Sequence, residues 1–153
     1  MAVPDIVFDP PRTLASRIRK RETSAREVMT AFYDQIERVN PSVNAIVALL
    51  DREMAMQAAD GADAQVGKQD IPALHGLPIA FKDVESVVGF PNTMGSRIYK
   101  DNYPTADSVI VDRIKRAGAI PIGKTNVPEF GLGSHSYNDV YGTTCNPWDL
   151  TRT

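Results

Sequence analysis

Gly76-Leu77-Pro78-Ile79-Ala80-Phe81-Lys82-Asp83-Val84 is short, apolar and β-prone, with a helix-breaking proline near its start. That composition predicts a buried strand. Lys82 stands at its C-terminal end. Lysines are rarely buried outright unless they are paired or have a chemical task. An ammonium stripped of water gives up its proton more readily, and the neutral amine is then a base. The plainer alternative is a lysine that ends the strand, reaches water and pairs with Asp83. The strand by itself favours that alternative, and the flanking sequence reverses the balance.

C-terminal to the strand, Val87-Val88-Gly89-Phe90-Pro91-Asn92-Thr93-Met94-Gly95-Ser96 mixes apolar residues with turn formers. Glycines and a proline so near a candidate lysine predict backbone folded tightly around a site. After a turn at Tyr103-Pro104-Thr105, either Thr105 or Asp107 is expected to cap a helix. Val109, Ile110, Arg113, Ile114 and Ala117 would form its inner face, and Gly118 would end it. Ala119-Ile120-Pro121-Ile122-Gly123 predicts a second buried strand, with Pro121 at an edge or early in it. Gly118 to Thr125 spells the phosphate-binding loop pattern, but a helix precedes it and its middle is strand-like, so that reading is set aside. Asn126 is expected to cap one helical turn over Pro128-Glu129-Phe130. A long polar loop follows, ended by Asn146-Pro147-Trp148-Asp149, and its aromatic residues argue against disorder.

N-terminal to the strand, residues 1–12 carry Pro4, Pro10 and Pro11 and are expected to be extended. A short basic helix follows from Thr13, with Leu14 and Ile18 inward. Ser24-Ala25-Arg26-Glu27 is a capping box. Val28, Phe32, Ile36 and Val39 recur at helical spacing behind it, and Pro41 is expected to stop the helix. Ala45 to Leu50 reads as a strand or a helix lead-in. Asp51 would cap a helix to about Ala59, before a polar linker from Gly61 to Asp70. Helix, glycine and strand linked this tightly belong to α/β layer folds.

The chain has 153 residues, 42% of them hydrophobic and 24% charged, which fits one soluble domain with a real core. A net charge of −2 gives no reason to expect nucleic acid or membrane as a partner. The single cysteine, Cys145, and the absence of a secretory signal point to a reducing compartment, the cytoplasm. No window has the length and apolarity of a membrane span. His75 and His135 lie far apart with no ligand-spaced partners, so no metal or cofactor is expected and each histidine reads as structural or exposed.

Leu74 to Asp83, Gly89 to Ser96, Ala117 to Phe130 and Tyr141 to Asp149 resemble, in order and spacing, blocks of the amidase signature family. Asn92 stands where that family more often has threonine. The resemblance implies the N-terminal portion of the amidase-signature fold. Helices (residues 1–70) lead into the start of an α/β core (71–153), whose mixed central sheet is covered by helices. The chain is thus read as one incomplete domain. It also implies a hydrolase of amide bonds that uses a Ser–cis-Ser–Lys triad. Lys82 would be the base and relay a proton through a bridging serine to a nucleophilic serine. Phe130, Gly131 and Leu132 would border the substrate.

In the family a Gly-Ser block holding the bridging serine follows the Asn-Pro-Trp-Asp stretch, and no Gly-Gly-Ser-Ser string occurs here. The chain is therefore read as an N-terminal fragment, inactive alone, whose partner would be the missing C-terminal part or a second copy. A small-molecule amide would be the substrate of the complete enzyme. The alternatives are a fragment of the A-type amidotransferase subunit that makes glutaminyl-tRNA, and a non-catalytic module or remnant.

Overall fold

The computed structural model describes residues 5–68 and 71–153. Residues 1–4 of the expected extended start, and Gln69 and Asp70 of the expected linker, lie outside the described residues. The chain divides into two compact units. The first comprises 1–37, 50–79 and 113–122, and the second 38–49, 80–112 and 123–153.

In the first unit, helix α1 (Pro11–Arg19) buries Leu14 and Ile18 as expected. It starts two residues early, because Pro11 at the first helical position lacks only an N–H that would have no helical partner. A 3₁₀ turn at Asp5–Phe8 precedes it in place of extended chain. Helix α2 (Ala25–Val43) opens on the predicted box: Glu27 N donates to Ser24 Oγ at 3.0 Å, and Ser24 N to Glu27 Oε2 at 2.8 Å. Its buried face is centred on Ala25, Val28, Met29 and Tyr33, with Phe32 and Ile36 only partly buried. Tyr33 takes the inner position because its hydroxyl donates to Leu50 O at 2.9 Å. Helix α3 (Arg52–Asp63) is capped by Asp51, which accepts from Glu53 N and Met54 N. It runs through Gly61 into the stretch expected to be loop. Met56 fills the core while Met54 faces solvent.

Helix α4 (Val109–Arg116) ends at Gly118, whose φ is +94°. Gly118 N donates to Lys115 O and Ala119 N to Ile114 O, the paired bonds of a Schellman stop. A Cβ at Gly118 would stand 2.8 Å from His75 Cα, so glycine is required there twice over. The inner face of α4 differs from expectation. Val109 and Ile110 are exposed and Val111 is fully buried. The cap differs too: Asp112 N donates to Ser108 O, and Asp107 instead accepts from Val88 N at 2.7 Å.

Strands β1 (Ile46–Leu49), β2 (Pro78–Lys82) and β3 (Ile120–Thr125) form a sheet in the order β1-β3-β2. β1 and β3 are antiparallel, with an irregularity between Ile46 and Ala48. Leu77 O accepts from Ile120 N, and Thr125 O from Asp83 N, so β2 and β3 run in the same direction and the sheet is mixed. Pro121 sits second in the middle strand, an early position that costs one ladder donor. The glycine that imitates a phosphate loop, Gly123, lies inside β3, where an added Cβ would meet Ala48 O at 2.6 Å.

In the second unit α2 runs on past Pro41 to Val43, although Pro41 was expected to stop it. Pro41 forfeits only its own N–H bond, and the helix closes beyond it, with Asn44 N donating to Asn40 O at 2.7 Å. Asn44, at φ +54°, ends the helix, while Asn40 Oδ1 takes the N–H groups of Ala45 and Ile46. The expected polar loop contains a hairpin, β4 (Tyr137–Asn138) with β5 (Gly142–Thr143). Asn138 Oδ1 accepts from Val140 N and Tyr141 N and so folds the turn with its own side chain. No helix among the described residues is long and apolar enough to cross a membrane.

Candidate active site

Lys82 is the last residue of β2, and its side chain is exposed. It makes no hydrogen bond or ion pair through that side chain among the described residues. The expectation that the apolar strand would desolvate it is corrected. Successive strand residues face opposite ways, and Phe81 and Asp83 take the buried side, leaving Lys82 on the other. It is not paired with Asp83 either.

Asp83 is fully buried and pairs with a lysine that sequence reasoning passed over. Lys124 Nζ, itself fully buried, donates to Asp83 Oδ1 at 3.1 Å, Glu85 O at 2.8 Å and Pro91 O at 3.1 Å. Burial pulls the Lys124 amine below its ordinary value, and the Asp83 charge opposes that pull. Three acceptors match the three N–H bonds of an ammonium. A signal for this pair existed in the sequence. Period-2 alternation puts Lys124 on one face with buried Ile122, and Asp83 on one face with Phe81 and Leu77.

The loop after β2 is tied to the same carboxylate. Thr93 Oγ1 donates to Asp83 Oδ2 at 2.5 Å and Thr93 N to Asp83 Oδ1 at 3.2 Å. Met94 N donates to Asp83 O at 3.1 Å, and Gly95 N to Thr93 Oγ1 at 3.0 Å. The tight folding predicted for this stretch is thus built on one aspartate. Asn92 is buried, and its Oδ1 has no hydrogen-bond partner among the described residues.

Phe130, Gly131 and Leu132 belong to a short 3₁₀ turn (Glu129–Gly131) and its end. Asn126 does not cap that turn: its Oδ1 accepts from Val127 N and from Asn138 Nδ2. Phe130 N donates to Met94 O at 2.7 Å, and both residues hold left-handed backbone, φ +54° and +52°. Such conformations cost non-glycine residues about 1–2 kcal/mol each, so strain is concentrated beside the strand end. A Cβ at Gly131 would sit 3.4 Å from Val84 Cγ1. The turn therefore lies against the segment that follows Lys82. Phe130 and Leu132, but not Gly131 or Lys82, line a cavity of about 570 Å³ with Pro128, Ser134, His135 and Tyr137. His135 is exposed, with Nδ1 2.9 Å from Ser134 Oγ, and His75 is buried, with Nε2 2.9 Å from Ala62 O. No group of three or more metal-ligating side chains occurs among the described residues.

This is part of an α/β core that presents one unpaired lysine at a strand end beside a strained turn. The chain belongs to the amidase family, whose model matches residues 27–153. The A-type subunit of the glutamyl-tRNA(Gln) amidotransferase of Acidothermus cellulolyticus is 41% identical over 140 residues, 91% of this chain and 28% of that protein. An acylamidase of Rhodococcus erythropolis is 36% identical over 137 residues, 90% of this chain and 29% of that one. The structure of 6-aminohexanoate cyclic dimer hydrolase complexed with substrate superposes with a TM-score of 0.82 at 28% identity, over 96% of this chain and 29% of the other. Fatty acid amide hydrolase shares the fold, with a TM-score of 0.87 at 24% identity over 95% of this chain and 26% of its own. The chain spans under a third of the length of each of these relatives.

Proposed function

We propose that this chain carries the base of an amide-bond hydrolase, and that the base is Lys82. The observation that carries the reading is the free Lys82 amine, exposed at the end of β2 with no hydrogen bond or ion pair of its own among the described residues. A serine hydroxyl is a poor nucleophile until a neighbouring base takes its proton. In the triad implied by the family resemblance, that proton passes through a bridging serine to Lys82 as the nucleophile attacks the amide carbon. It returns to the leaving nitrogen as the C–N bond breaks. The Gly-Gly-Ser-Ser string that would supply the bridging serine does not occur among these 153 residues. Phe130, Gly131 and Leu132 border the substrate, a reading supported by the cavity that Phe130 and Leu132 line.

The test is Lys82→Ala in the active enzyme that contains this sequence, assayed on a simple aryl amide. Loss of turnover by about a thousandfold or more, with the fold intact, is expected of a removed base in a concerted triad. Retained turnover overturns the reading. The 153 residues purified by themselves should show no turnover, for want of nucleophile and oxyanion donors.

The amidotransferase reading is favoured by one observation, the 41% identity to the A-type subunit of such an enzyme across 91% of the chain. Hydrolysis of glutamine only in the presence of partner subunits would select it. Turnover of aryl amides by the enzyme alone would select the acylamidase type.

A further inference from the structure

We infer that Thr93 and Tyr99 are positioning residues for Phe130, the first holding its backbone and the second its ring at the cavity that Phe130 lines. The inference rests on the reading that Phe130 borders the substrate. Met94 and Phe130 face each other across the Phe130 N–H to Met94 O bond, both in left-handed backbone. Such conformations persist only where their surroundings over-determine them. The groups that do so here all belong to the second unit, and neither Thr93 nor Tyr99 is among the residues that line the cavity. Both therefore act on it through Phe130.

Thr93 fixes Met94. Its hydroxyl donates to Asp83 Oδ2 and accepts from Gly95 N, so the residues on both sides of Met94 are tied to one oxygen. Met94 N donates to Asp83 O, and the Asp83 carboxylate is itself held by the fully buried Lys124. Gly95 closes the far end: its φ is +64°, and a Cβ there would stand 2.9 Å from Val127 O. The Met94 carbonyl is thus a fixed acceptor for Phe130 N. Tyr99 fixes the ring. Ser96 N donates to Thr93 O and Tyr99 N to Ser96 O, which carries the loop into a 3₁₀ turn (Arg97–Tyr99). The Tyr99 ring meets the Phe130 ring edge-on, with centroids 6.3 Å apart and planes at 86°, a favoured aromatic geometry. Arg97 and Asp139 join the same two segments at 3.5 Å, but both side chains are exposed, so that pair adds little.

Two readouts test this. The first is hydrogen exchange at the Phe130 amide in the 153-residue chain, followed by NMR. Thr93→Val keeps the side-chain shape and removes the hydroxyl. It should speed that exchange by about tenfold while the amides of α3 keep their wild-type rates, and Thr93→Ser should restore it. A merely structural Thr93 would speed exchange throughout. Tyr99→Leu, at a half-exposed position, should also speed exchange at Phe130, and decides the matter if Thr93→Val does not fold. Wild-type exchange at Phe130 in a folded variant overturns the inference. The second readout is turnover of an aryl amide by the active enzyme that contains this sequence. Tyr99→Leu should raise KM about threefold to tenfold with kcat within about twofold, and Tyr99→Phe should keep the wild-type KM. A general loss of fold would lower kcat and leave KM alone. Phe130→Ala separates the two ways of failing. If it raises KM and Tyr99→Leu does not, the inference falls. If it leaves KM unmoved, the substrate reading falls, and faster exchange at Phe130 still upholds the positioning.

Discussion

Tyr33 has no solvent exposure, and burial pushes its hydroxyl up to about 12, with Asp51 adding to the shift and Arg52 opposing it. The unfolded chain releases this proton near pH 10, the folded chain only near 12. The stabilisation is therefore complete below pH 10 and is lost as the pH rises toward 12. Tyr33→Phe should lower stability at pH 7 by about 1 kcal/mol, since Leu50 O loses its donor, and should flatten the alkaline limb of a urea-melt series. Lys124 and Asp83 set a larger stake. Truncating either alone strands a buried charge, so Lys124→Ala or Asp83→Ala should cost about 3–5 kcal/mol in the same melts. At this scale the sequence was half legible. Lys82 announced itself through the strand it ends. Lys124 did not, because its partner lies 41 residues away and only the parity of two strands brings them to one face. The solvent side taken by Lys82 follows from that same parity, which a reading based on strand apolarity leaves out.

Helix α2 shows how an element can be anchored from both sides of its first turn. Ser24 and Glu27 close the box locally, while the Asp63 carboxylate, at the end of α3, accepts from Ala25 N at 2.7 Å and Arg26 N at 3.0 Å. Asp63→Ala should cost about 1–2 kcal/mol, comparable to losing an N-cap, and a fall in helical ellipticity with temperature would show it. The Ser24 hydrogen bonds, backbone first, hold Glu27 below the usual carboxylate value. The capping contribution is thus present at neutral pH and fades only as the pH falls through that lowered value. Ser24-Ala-Arg-Glu27, Asp51 and Gly118 were readable because caps are local, written within four residues of the end they close. The α4 cap and Asn126 differ from expectation because tertiary partners decide them. Asn126 is claimed by Asn138, and Asp107 by the loop at Val88.

Across the whole molecule, exposed large apolar side chains are unevenly shared. Apart from Phe8 and Met54, those among the described residues all belong to the second unit, Ile98, Val109 and Leu132 among them. Apolar side chains left in water gain by being covered. The outer strands of the described sheet, β1 and β2, also keep unpaired edges. The 153-residue chain should therefore associate as its concentration rises, giving a sedimentation coefficient and a melting temperature that both depend on concentration. A concentration-independent monomer with a sharp reversible melt would contradict this. The α/β class and the order of the blocks were legible at this scale because they follow from the sequence of elements. The share of surface left open was not, since exposure depends on what packs where.

Trp148 is the chain's single tryptophan, and it is 94% exposed. Its neighbours hold its backbone: Trp148 N donates to Asn146 Oδ1 at 2.9 Å while the indole stands in water. An indole already in water gains little further hydration on denaturation, so intrinsic emission should barely register unfolding. The same fluorophore is well placed to report the reverse event. Whatever protein surface closes over this segment should shift its emission to the blue and shield it from iodide, giving an optical titration of docking that needs no label.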